Sequence, residues 1–198
     1  METIAQILSR ELEQPLEYVE NVIALIDEGN TIPFIARYRK ERHGSMDDTV
    51  LRTLADRLEY LRGLEKRREE VRAAIEAQGK LTEELSGALT AAATLAEVED
   101  LYRPYRPKRR TRATIARERG LEPLAALLFA QGRDCPAPMA EAAKYVDPDK
   151  GVNTAEEALQ GAGDIIAEDI SDDAGVRKAL RELLLRRGAL VSRAAGEE

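Results

Sequence analysis

The stretch LYRPYRPKRRTRATIARERG, residues 101 to 120, holds eight lysines or arginines and one acid, Glu118, a local charge of +7. The whole 198-residue chain sums to −7. Guanidinium and ammonium groups at this density bind anions, either phosphates or carboxylates. Pro104 and Pro107 exclude helix across RPYRPK and favour an extended segment. An extended connector over 103–112 displays Arg103, Arg106, Lys108, Arg109, Arg110 and Arg112 together. Tyr102 and Tyr105 supply rings on which bases can stack. The same arginines can instead tie the connector to the chain's own acids, since seven acids and no base lie between Glu156 and Asp173. Residue types alone leave both readings open. A second basic run, ARYRKER, brings Arg37, Arg39 and Lys40 to the end of a predicted helix. Cations there complement the helix dipole, and they can also touch a phosphate.

Other chemistry has little to stand on. One histidine and one cysteine, His43 and Cys135, cannot make a Cys/His metal site. The acids Glu168, Asp169, Asp172 and Asp173 lack the glycine and spacing of a calcium loop and read as a helix end plus the cap of the next helix. Neither GxGxxG nor a Walker pattern occurs. His43 has no nucleophile near it in sequence and reads as an exposed loop residue. No catalytic residue, metal or cofactor is expected, and the chain reads as a non-enzyme. With a single cysteine there is no internal disulfide, which fits an intracellular protein. The acidic start METIAQILSRELEQ is no signal peptide, and no run nears the roughly 18 apolar residues of a membrane span.

The elements that position these residues read as helices. Aromatics make up 4% of the chain, with no Trp, so the core must come from Leu, Ile, Val and Ala. Ile4, Ile7, Leu8 and Leu12 recur at helical spacing, and Pro15 divides them from a second stripe of Val19, Val22, Ile23 and Ile26 that Gly29 stops. Phe34, Ile35 and Tyr38 share one side of a third short helix. Residues 1–44 thus resemble a helix-turn-helix unit. Ser45 with Asp48 resembles a capping box opening a long helix over 45–79, with Leu51, Leu54, Leu58, Leu61, Leu64, Val71 and Ile75 as its stripe. Residues 80–198 read as further helices around the connector. Capping boxes start at Thr94-x-x-Glu97 and Thr154-x-x-Glu157. The latter helix turns Leu159, Ala162, Ile166 and Ile170 inward. Ser171 or Asp172 caps a last helix through Val176, Leu180, Leu183 and Leu184. Nothing alternates with period two, so the fold class is all-α.

NTIPFIARYRKE, the MDDT opening of the long helix, EDLYRPYRPKRRTRATIARERGLEPLA and TAEEALQGAGDIIAEDIS, in that order, resemble the N-terminal region of Tex-like transcription accessory proteins. The resemblance runs almost end to end and departs only around His43-Gly44-Ser45. It implies a bacterial, cytoplasmic protein much longer than this chain, with a nuclease-like fold, helix-hairpin-helix elements and a C-terminal OB-fold that carries most RNA binding. This chain is then the N-terminal domain. The expected partners are nucleic acid through the basic connector, the later domains, and the transcription machinery. The alternative is a scaffold that docks those domains or that machinery and touches no nucleic acid.

Overall fold

The computed structural model describes residues 2–107, 109–132 and 137–192. The fold is all-α, and no strand occurs among the described residues. The chain divides into two compact units, Met1–Thr90 and Ala91–Glu198.

In the first unit, α1 (Ile4–Leu12), α2 (Leu16–Asp27) and α3 (Ile32–Tyr38) pack on the first half of α4 (Asp48–Glu76), and the short α5 (Glu83–Ala91) follows. Thr3 caps α1 with a full capping box, its hydroxyl accepting from the Gln6 amide while the Gln6 side chain accepts from the Thr3 amide. The core consists of Leu8, Val19, Val22, Leu25, Ile35, Met46, Leu51, Leu54, Leu58 and Leu61. Leu64, Val71 and Ile75 continue the buried edge along α4, which runs through Gly63 without a break. Leu25, absent from the expected α2 stripe, is buried, whereas Ile23 and Ile26 are only partly covered. Two bidentate pairs bind α4 to its neighbours at the rim, Arg57 to Glu11 and Arg62 to Asp27, at 2.7 to 2.8 Å.

Two local expectations in this unit are corrected. Ser45 does not cap α4: it lies in the left-handed region at φ 64°, and Asp47 caps instead, accepting from the Val50 amide at 2.8 Å. His43 is not an exposed loop residue but 1% exposed, and neither ring nitrogen has a hydrogen-bond partner among the described residues. The turn that buries it passes close over Tyr18, with Gly44 at φ 59°, and a Cβ on Gly44 would collide with the tyrosine ring at Cδ2 and Cε2. Only glycine serves there on both counts. Phe34 and Tyr38 do share one side of α3, their rings tilted with centres 5.2 Å apart, and Tyr38 is exposed.

In the second unit, α7 (Arg112–Glu118), α8 (Glu122–Ala130) and α9 (Pro138–Ala142) gather on α10 (Ala155–Asp172), while α6 (Leu95–Tyr102) carries α11 (Ala174–Arg187). The core is Ala113, Ala116, Leu121, Leu124, Ala125, Ala142, Val152, Ala158, Ala162 and Ile165. The inward face of α10 therefore differs from the expected one. Ala158, Ala162 and Ile165 are buried, Leu159 and Ile166 partly so, and Ile170 is exposed. The reason is close approach. Gly161 sits where a Cβ would collide with the Leu121 side chain and press on Ala116, so the small residues of α10 set its buried face. Asp173, rather than Ser171 or Asp172, caps α11 at 2.7 Å.

The last helix has no buried residue. Val176, Leu180, Leu183 and Leu184 all face solvent, Leu180 at 52% exposure. Two experiments follow from this packing. Leu58, 3% exposed, should cost roughly 2–5 kcal/mol on replacement by Ala in chemical denaturation, whereas Leu184→Ala should stay within about 0.5 kcal/mol. Apolar stripes of this kind favour association. Sedimentation at rising concentration should show self-association of the native chain, and Leu180→Ser with Leu183→Ser should reduce it while leaving the melting temperature unchanged.

Candidate functional site

The connector joins α6 to α7, and its course differs from a wholly extended arm. Arg103–Tyr105 form one 3-10 turn that continues α6, since Pro104 tolerates the first turn of a helix. Extended backbone begins at Arg106, with φ −68° and ψ 135°. Thr111 then caps α7, its hydroxyl accepting from the Thr114 amide at 3.0 Å.

The arginines divide into two groups. Arg103 donates from Nε to Asp172 at 2.7 Å. Arg110 reaches Glu118 at 2.7 Å, with both groups exposed, and Arg112 lies 3.7 Å from Asp164. Arg106 and Arg109 are exposed and have no carboxylate partner among the described residues. Lys108 lies outside the described residues. Tyr102 and Tyr105 are half-buried rather than spread on the surface. In the first unit, the Arg37 guanidinium lies 6.0 Å from the Tyr38 ring centre and Arg39 lies 5.1 Å from that of Phe34. Arg39 also donates to the Tyr38 carbonyl, and Lys40 is exposed.

Two pairings escaped sequence reasoning. Arg117, counted only as part of the local charge, is the centre of the contact between α7 and α10. It donates to Glu168 at 2.7 Å and to Asp169 at 2.6 Å, and Thr111 adds a hydroxyl bond to Glu168 at 2.9 Å. The Glu168 bond raises the guanidinium's pKa against the opposing effect of burial, so Arg117 stays charged. The signal available in sequence was spacing: Glu168 and Asp172 lie one helical turn apart, and so do Asp164 and Glu168, which makes one acidic edge.

The second pairing is Asp100 on α6. It is 4% exposed and takes Arg177 at 2.6 Å together with Arg181, while Lys178 pairs with Glu97 at 3.0 Å. Thus α11 turns its cationic face to α6 and its leucines to solvent. Burial pushes the Asp100 pKa up, but the bonds and charges of Arg177 and Arg181 outweigh it and hold the carboxyl below its ordinary value. No single-helix pattern reveals this, because Asp100 acquires meaning only from residues about eighty positions away.

The folded pKa of Asp100 is depressed, so its contribution is present above the unfolded value and is lost as pH falls through the folded one. Acidification below about pH 4 should therefore release α11 before the unit melts. Hydrogen exchange at Ala174–Arg187 against pH checks this, and Asp100→Asn should expose the same amides at neutral pH with a loss of about 2 kcal/mol.

Two family models match the chain: the Tex-like protein N-terminal domain over residues 2–76 and the Tex central region-like model over residues 134–198. Protein YhgF of Escherichia coli is 47% identical over 191 residues, covering 96% of this chain and 24% of that protein. The transcriptional accessory protein Tex of Neisseria gonorrhoeae is 47% identical over 182 residues, 91% of this chain and 23% of its own length. The human S1 RNA-binding domain-containing protein 1 is 32% identical over 186 residues, 93% of this chain and 18% of its length. The chain spans about a quarter of the length of the bacterial relatives.

Proposed function

We propose that this chain, which belongs to the Tex-like protein family, is a non-catalytic helical module of a cytoplasmic transcription accessory protein that adds a weak nucleic-acid contact to a mainly structural role. The observation that carries this reading is the division within the connector. Arg103 and Arg117 are spent on the acids of α10, and Arg110 on Glu118 of α7, whereas Arg106 and Arg109 remain exposed without a carboxylate partner among the described residues. The first set holds the second unit together, and the second is available to a phosphate. The printed names of the relatives support the setting, one being a transcriptional accessory protein and another an S1 RNA-binding domain-containing protein.

The scaffold alternative rests on α11. A helix that fixes itself through its charges and displays Val176, Leu180, Leu183 and Leu184 is built for contact with protein. On that reading the later domains or the transcription machinery take this face, and the connector is purely a clasp.

Anisotropy titrations against single-stranded RNA and duplex DNA, at about 50 and 200 mM salt, separate the two. Two or three phosphate contacts give a slope of log K against log salt of about −1.8 to −2.7 on duplex DNA, with affinity no tighter than ordinary non-specific binding, roughly 10⁻⁴ to 10⁻⁶ M. The net charge of −7 opposes approach and keeps it there. Arg103→Ala with Arg117→Ala should lower the melting temperature. No binding at the lower salt, together with that lowered melting temperature, leaves the scaffold reading alone.

A further inference from the structure

Arg103, Arg106, Arg109, Thr111, Ser171 and Asp172 line one open cleft of about 410 Å³ between the connector and the end of α10. We infer that this cleft is a fixed seat for a backbone phosphate of single-stranded nucleic acid. The proposal rests on the nucleic-acid reading above and narrows it from a flexible arm to a particular place.

The cleft is rich in uncommitted donors. Among the described residues, Arg103 hydrogen-bonds Asp172 through Nε, and its terminal nitrogens keep their donors. The guanidiniums of Arg106 and Arg109 and the hydroxyl of Ser171 have no partner among the described residues. The acids nearby are already engaged. Asp172 accepts from Arg103, and Glu168, which also lines the cleft, accepts from Arg117 and Thr111. Three guanidiniums therefore line the cleft with two carboxylates, one of which Arg117 also neutralises from outside it, and the excess positive charge falls on the side chains that open to solvent. Asp172, 8% exposed, also fixes the direction of Arg103, which makes that donor pre-oriented rather than free to search.

Phosphate suits this geometry better than a carboxylate. Guanidinium forks bind phosphate oxygens in pairs. Donors converging from the connector on one side and from Ser171 on the other suit a tetrahedral acceptor, whereas a planar carboxylate satisfies donors in one plane. The half-buried positions of Tyr102 and Tyr105 remove base stacking from the contact, so binding should ignore sequence and depend on salt. An acidic peptide would use the same charges and is separated by experiment.

The test uses the whole chain and a fluorescent octauridylate titrated over a range of salt. The native chain should bind, and Arg106→Ala with Arg109→Ala should flatten the slope by about 1.4, the loss of two contacts on a single strand, with an unchanged melting temperature. Ser171→Ala should weaken binding at every salt concentration without changing the slope, because it removes no charge. Arg37→Ala with Lys40→Ala, in the other unit, should leave the slope as it was. Inorganic phosphate should compete only at far higher concentration, and octaglutamate should bind more weakly than the oligonucleotide. If the native chain binds but the Arg106/Arg109 variant keeps its slope, the cleft is wrong and the nucleic-acid reading survives. If the native chain fails to bind at low salt, both fall. Equal binding of octaglutamate, or binding of inorganic phosphate without the oligonucleotide, also overturns the assignment.

Discussion

A carboxylate withdrawn from water must be met by a cation or by several donors, and the second unit is arranged around that requirement. Asp164, Glu168 and Asp172 form one edge of α10, and their side chains are between 10% and 17% exposed. Ala158, Gly161 and Ala162 draw α7 and Leu121 close on the neighbouring face, which leaves the acids partly covered. Arginines must then follow, and the chain supplies them from the connector and α7. Much of the local charge of +7 is the counterpart of a local deficit elsewhere in the same unit. The net charge of −7 conceals both.

The same logic explains why the connector is neither a loose arm nor a fully closed clasp. Its ends are pinned, by Arg103 to Asp172 and by Thr111 and Arg117 to Glu168. Between the pins, Arg106 and Arg109 are exposed and make no ion pair among the described residues. Pro104 and Pro107 limit how far the chain can bend to find one.

The all-α class was legible because it depends on local spacing and caps. Thr94 and Thr154 cap as their positions suggest, with a small displacement: Glu97 and Glu157 accept from the Ala93 and Asn153 amides, one residue before the cap. Features set by neighbours distant in sequence were not legible. Nothing within α10 says that Ala158 outranks Ile170 as a core residue until Leu121 is laid against Gly161. His43 reads as polar and loop-like, yet a turn over Tyr18 buries it. The basic connector was visible as a feature, but which arginines are spent and which are free depends on an acidic edge some sixty residues later.

The attachment of α11 gives it an unusual response to solution conditions. Most surface helices are held by apolar contact and display charge, so added salt leaves their anchorage intact. Here the anchorage is ionic, through Asp100 and Glu97, and the display is leucine. A sulfate or phosphate buffer screens the outer Lys178–Glu97 pair, far more than the buried Asp100 pairs, and strengthens the burial of the leucines. The ion that loosens the helix from its own unit thus makes its outer face more adhesive. The order of salts in the Hofmeister series becomes, for this one helix, a scale of exchange between intramolecular and intermolecular contact.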